Sequence, residues 1–244
     1  MLSKISYFLA AKQEKRIPMN LLDIIGPIMV GPSSSHTAGA VKIGRVCGKL
    51  LAEEIVEAKI FFHGSFEATG KGHGTDKALI AGLLGMQVDD SRIPKSFELA
   101  KEKGMKFEIE GIDLGDVHPN SVKVILTGKS GRTLEIIAAS VGGGQIQICQ
   151  IDGLTANFSG DYPTLIVHTA DQPGHVTEVT ALLAKESVNI ATMQLYRASR
   201  GGNAVMVIEC DQEVPAHVIS HLEHSKGIMK VTYLSLLDEK KSEE

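Results

Sequence analysis

The chain has 244 residues, 43% of them hydrophobic and 22% charged, with 25 Lys and Arg against 29 Asp and Glu for a formal net charge of −4. That length holds one large domain or two of ordinary size. With no basic stripe, 5% aromatics and no Trp, both the phosphate-neutralising charge and the stacking platforms of a nucleic-acid binder are missing.

No run reaches the roughly 18 apolar residues that a membrane span needs, so a cytoplasmic chain without a membrane partner is expected. Ile5 to Ala11 is apolar but short and runs into Lys12, Glu14, Lys15 and Arg16, with no small-residue cleavage site. Residues 1–20 are therefore read as an N-terminal extension, either an amphipathic leader or partner-binding helix, or a tail.

From Leu21 to Val30 runs an apolar segment broken by Gly26-Pro27, followed by Gly31-Pro32-Ser33-Ser34-Ser35-His36-Thr37-Ala38-Gly39. Ala40, Ile43, Cys47, Leu50 and Leu51 then recur at three- and four-residue spacing, which predicts an amphipathic helix. Ala58 to Ser65 is a β-type run. Thr69 to Asp76 reads as a second glycine-rich loop opening a helix over Lys77–Met86. Four short strands follow, at Lys106–Glu110, Ser121–Thr127, Arg132–Ser140 and Gln145–Ile151. Residues 21–155 thus form an α+β domain with a mostly antiparallel sheet.

Asp152-Gly153 and the polar stretch Ala156 to Asp161 read as a linker. Beyond it, over 163–238, strand, helix, strand, strand, helix and strand alternate in the ferredoxin-like βαββαβ order, and a charged tail, Asp238–Glu244, ends the chain. Cys47, Cys149 and Cys210 are an odd, dispersed set with no C-x₂-C pair, so they are expected to be buried structural thiols rather than a disulfide framework or metal ligands.

Two stretches carry chemistry. Ser33, Ser34, Ser35, His36 and Thr37 place four hydroxyls and an imidazole at a helix start, where backbone N–H groups and the helix dipole favour an anion. A single hydroxyl there would be a cap; the set is read as a carboxylate- or phosphate-binding site. In Thr69-Gly70-Lys71-Gly72-His73-Gly74-Thr75-Asp76, His73 sits between glycines beside Lys71, with Thr75 or Asp76 as the expected cap. An imidazole without bulky neighbours is open to a substrate and titrates near neutral pH. A phosphate-loop reading fails, because five residues separate Gly64 from Gly70 and Gly72 replaces the magnesium-binding hydroxyl.

Asp171-Gln172-Pro173-Gly174-His175-Val176 and Val188-Asn189-Ile190 make the C-terminal domain similar to an ACT domain, the amino-acid-sensing module. The resemblance implies a regulatory site at Asp171, Gly174 and Asn189, or else a module for dimer packing alone. GPSSSHTAGA and KGHGTD, together with Gly64-Ser65-Phe66 and Val141-Gly142-Gly143-Gly144, resemble the β chain of two-subunit, iron–sulfur-dependent L-serine dehydratases from about Leu21 to Leu236. The first domain is also similar to the allosteric substrate-binding domain of some phosphoglycerate dehydrogenases, so its fold alone prescribes no catalysis.

The dehydratase resemblance implies L-serine ammonia-lyase activity, shared with an α chain that carries a 4Fe–4S cluster, and no metal ligands on this chain. His73 is the implied base and His36 the alternative. Ser33, Ser34, Ser35, Thr37, Lys71 and Gly72 would hold the substrate, and the ACT domain would pair two copies of the chain. The rival reading is a non-catalytic regulator that binds L-serine.

Overall fold

A computed structural model describes residues 28–197 and 199–236. The N-terminal extension, most of the apolar segment from Leu21 and the charged tail from Asp238 lie outside the described residues.

A π-helical turn, Ser34–Ala38, runs directly into helix α1, Gly39–Leu51. Strand β1 (Ile55–Phe62) follows, then α2 (Ser65–His73), α3 (Thr75–Leu83) and, after a short turn, α4 (Ser96–Glu102). Strands β2 (Lys106–Gly111), β3 (Ser121–Gly128), β4 (Thr133–Gly142), β5 (Gln145–Ile151) and β6 (Leu154–Phe158) complete the first unit. The sheet order is β2-β1-β3-β4-β5-β6. Only β1 and β2 are parallel, because the three helices between them carry the chain back; the other neighbours are antiparallel. The expected mostly antiparallel sheet is therefore present.

Two predicted segments differ. The stretch from Thr69 to His73 is the end of helix α2 rather than a loop. Gly70 is buried against Thr75, and Gly74, at φ +67°, both ends α2 and begins α3. A left-handed residue at that junction turns the chain between two helices, and glycine adopts it without a Cβ penalty. Gly74, not Thr75 or Asp76, is thus the residue that opens α3; Asp76 instead accepts the Lys77 N–H, at 2.8 Å. The expected linker is largely strand β6, where Ala156 and Phe158 alternate inward and Asp152-Gly153 make the turn from β5.

The C-terminal unit keeps the predicted order: β7 (Thr164–Ala170), α5 (His175–Lys185), β8 (Ile190–Arg197), β9 (Asn203–Cys210), α6 (Ala216–Glu223) and β10 (Ile228–Leu234). Its antiparallel sheet runs β10-β7-β9-β8. Leu165, Val167, Met206 and Ile208 face α5 and α6 and form a core with Val179, Leu183, Val218 and Leu222. The opposite face, through Ile166, Val205, Val207 and Leu234, joins the core of the first unit.

Helix α1 lies in that shared core, packed on β4 and β10. This explains why Val41, Ile43, Val46, Cys47, Leu50 and Leu51 are all buried on one short helix. Against α3 it crosses at Gly44 and Gly82, where an added Cβ would stand 2.3 Å from the Leu79 carbonyl and 2.1 Å from the Val41 carbonyl. Cys47 and Cys210 are buried as expected, whereas Cys149 is only half-buried. Burial pushes the Cys210 thiol up to about 11, with Asp211 adding to the shift.

Candidate functional site

The serine loop is shaped by its own hydrogen bonds. Ser33 is extended, and its hydroxyl accepts the His36 N–H at 3.1 Å, while its carbonyl accepts those of Thr37 and Ala38. The Ser34 carbonyl takes the Gly39 N–H. The backbone donors of His36, Thr37 and Ala38 are thus spent inside the turn, not aimed at a ligand as the sequence suggested. Ser33 is a helix cap. Ser35 instead lies 3.1 Å from His36 Nδ1. Thr37 is buried, and its hydroxyl donates to the His73 carbonyl at 3.2 Å. That bond ties the serine turn to the end of α2, and it leaves Thr37 unavailable to a substrate carboxylate.

Although 37 residues apart in sequence, His36 and His73 have ring centroids 4.9 Å apart. Phe66, fully buried, packs edge-on against His36 at 5.4 Å and forms the floor. His36 Nε2 lies 3.1 Å from Ser65 Oγ and 3.0 Å from Thr69 Oγ1. His73 Nδ1 donates to the Thr69 carbonyl at 3.1 Å. A neutral imidazole carries one ring hydrogen, so this bond leaves the lone pair on His73 Nε2. Burial, then the neighbouring His73, hold His36 below its ordinary value of 6.5, against an opposing effect of the Ser65 backbone.

Beside His73 opens a cleft of about 350 Å³, lined by Gly31, Thr37, Lys71, Gly72, His73 and Asp76 among others but not by His36. Lys71 and Gly72 are exposed there, and nothing lies within 4 Å of where a Gly72 Cβ would stand. A larger cleft, about 830 Å³ between Lys49, Gly82 and Met105, contains no histidine. Sequence reasoning missed Ser65 and Thr69. The i, i+4 spacing of Ser65, Thr69 and His73 would have pointed to them had that segment been read as a helix.

The three C-terminal residues expected to form one regulatory site are not together within the chain. Asp171 follows β7 at the end where Ala170 pairs Asn203, whereas Asn189 precedes β8 at the end where Ile190 pairs Cys210. Asp171 accepts the Gly201 N–H at 2.9 Å, a bond that, ahead of the nearby Arg197, holds its carboxyl below the usual range. Asn189 donates to Asp211 at 2.5 Å. Gly174, at φ +105°, begins α5. Among the described residues, no three His, Cys, Asp or Glu side chains gather as metal ligands, and no helix is long and apolar enough to cross a membrane.

Fold and site together define a two-unit α+β protein with a histidine pair braced by hydroxyls, one member of which, His73, lines a small lysine-bearing cleft. Residues 21–110 match the family model for the serine dehydratase beta chain, and residues 163–223 match that of the ACT domain. The probable L-serine dehydratase beta chain of Bacillus subtilis (strain 168) is 40% identical over 88% of this chain and 98% of its own length. The L-serine dehydratase beta chain of Peptoniphilus asaccharolyticus is 40% identical over 78% of this chain and 86% of its own. The D-3-phosphoglycerate dehydrogenase of Bacillus subtilis (strain 168) is 26% identical over 81% of this chain but only 37% of that enzyme. The chain belongs to the L-serine dehydratase beta-chain family, with an ACT domain at its C-terminal end.

Proposed function

We propose that this chain acts as the catalytic β subunit of an L-serine ammonia-lyase, releasing pyruvate and ammonia together with an α chain that carries a 4Fe–4S cluster. The observation that carries the proposal is the His36–His73 pair, with the His73 Nε2 lone pair left uncommitted next to Lys71. This chain's own residues do not fit a cluster: its three thiols are dispersed, and no ligand group forms among the described residues. The cluster therefore belongs, in this reading, to the partner, where it would supply Lewis acidity toward the substrate hydroxyl.

Within this chain, Lys71 and the open backbone at Gly72 receive the serine carboxylate. His73 Nε2 takes the Cα proton, and His36, braced by Ser35, Ser65 and Thr69, packs beside it. Loss of the proton and of the hydroxyl, as water, leaves 2-aminoacrylate, which tautomerises and takes up water to give pyruvate and ammonia. A correctly placed general base contributes about 10²–10⁴-fold. His73→Ala, assayed anaerobically in a reconstituted pair, should lose on the order of 10²-fold or more in kcat while still co-purifying with the α chain. Near-normal turnover would reject the assignment.

The likeness to phosphoglycerate dehydrogenase favours a second reading, an L-serine-binding regulator of a partner. Adding the chain to the α chain separates the two. An obligate subunit creates activity where there was none, whereas a regulator only alters what was already present.

A further inference from the structure

Among the described residues, Thr69 is the one bonded to both imidazoles, through its hydroxyl to His36 and through its carbonyl to His73. We infer that Thr69 is a positioning residue that sets the two rings in opposite tautomers, an inference that rests on the lyase reading above for its effect on turnover.

A threonine hydroxyl has one hydrogen to give. That of Thr69 goes to the Ser65 carbonyl one helical turn back, at 2.8 Å. Toward His36 Nε2, at 3.0 Å, the same oxygen can therefore only accept. The ring hydrogen of neutral His36 is thereby placed on Nε2, and its lone pair on Nδ1, where the Ser35 hydroxyl donates at 3.1 Å. On the other ring the order is reversed, because the Thr69 carbonyl takes the hydrogen of His73 Nδ1 at 3.1 Å. Both nitrogens of His36 are committed, and Nε2 of His73 holds the lone pair that remains to accept a proton. The choice between the two histidines is thus made by a third residue that need not touch the substrate.

Ser65 Oγ, also 3.1 Å from His36 Nε2, does not fix the ring in the same way. Its hydrogen is not assigned to another group, so it can give or receive. Removing the Thr69 hydroxyl leaves His36 facing a partner compatible with either tautomer.

The test uses the full chain with ¹⁵N-labelled histidine, about two pH units above the ordinary imidazole value of about 6.5. The two rings are assigned by the signals lost in His36→Asn and His73→Asn. In the unsubstituted chain His36 should be protonated at Nε2 and His73 at Nδ1. In Thr69→Val, which keeps the branched shape, the two His36 nitrogen shifts should move toward each other as the tautomers mix; in Thr69→Ser they should stay apart. In the reconstituted pair, Thr69→Val should lower kcat on the order of tenfold with KM nearly unchanged, and Thr69→Ser should restore it.

The inference is overturned if His36 carries its hydrogen on Nδ1 in the unsubstituted chain, or if Thr69→Val leaves its shifts or kcat unmoved. It is equally overturned if Thr69→Ser is as impaired as Thr69→Val, since packing would then be the cause. If the tautomers behave as stated but the unsubstituted pair turns over no serine, the lyase reading falls and the tautomer assignment stands.

Discussion

At Gly31 the backbone has φ +126°, and a Cβ there would lie 2.5 Å from Thr37 Cγ2. The absence of a side chain lets the segment leading into the site close over Thr37, whose hydroxyl in turn holds the His73 carbonyl. Gly31→Ala combines backbone strain with a clash and should cost about 1–3 kcal/mol of stability, read as a lower urea midpoint. Because the displaced group is Thr37, turnover should fall by more than the loss of folded protein explains. A variant with unaltered kcat would show that the Thr37 link does not position His73. The residue types here were legible in the sequence: both histidines and the serine run stand out by spacing alone. Their division of labour was not. Ser33 caps, Ser35 braces a ring and Thr37 bridges two elements, and hydroxyls of one kind differ only in what the fold places beside them.

Helices α1 and α3 approach so closely that Gly44 and Gly82 face each other's backbones, each an added Cβ away from a carbonyl oxygen. Gly82→Ala must push the helices apart or bend them, and overpacking of this kind costs about 1–3 kcal/mol. Thermal unfolding should register it as a lowered Tm. Since α1 is preceded directly by the serine turn and α3 by the His73 elbow, the separation of the histidine rings should grow and activity should drop in parallel. Unaltered turnover of Gly82→Ala in the reconstituted pair would mean that the crossing does not set the site. At this scale most strands and helices were readable from alternation and three-to-four spacing. Helix α2 was not, because its glycines argue for a loop on propensity. Packing of Gly70 against Thr75 and of Phe66 into the core outweighs that local preference. Strand β6 was hidden for a related reason: only Ala156 and Phe158 of its polar run are apolar and buried, and pairing with β5 supplies the rest.

Across the whole molecule, the two units share a face that holds polar as well as apolar groups. Glu209 is buried there, with one oxygen accepting from the Ser159 N–H and hydroxyl and the other from Thr192 at 2.7 Å. His168 is buried on the same side of β7 as Ile166, and its Nε2 has no partner among the described residues. Asp152, from the β5–β6 turn, pairs with Lys230 of β10 at 3.0 Å and so crosses between the units. Burial, then Lys230, hold the His168 imidazole below 6.5, with Asp152 acting the other way. A ring whose folded value is depressed binds its proton more readily in the unfolded chain. Its contribution to stability is full above the unfolded value of about 6.5 and is lost as the pH falls toward and through the folded one. Denaturant midpoints should therefore decline below about pH 6.5, and His168→Gln should flatten that decline, leaving the part owed to His36, which is shifted in the same direction. An unchanged slope in His168→Gln would remove this histidine from the account.

Most of the strands and helices, their apolar faces and the pair of chemistry-bearing motifs were legible in the sequence itself, because periodicity and turn chemistry act over a few neighbouring residues. Only the tertiary structure decided that α1 is buried between two sheets, that Asp171 and Asn189 stand at opposite ends of one, and that the helical turn bonded to its own His73 also meets His36 from a distant segment. Those outcomes depend on which hydrogen-bond donor meets which acceptor across tens of residues, and that is settled by packing rather than by any local preference.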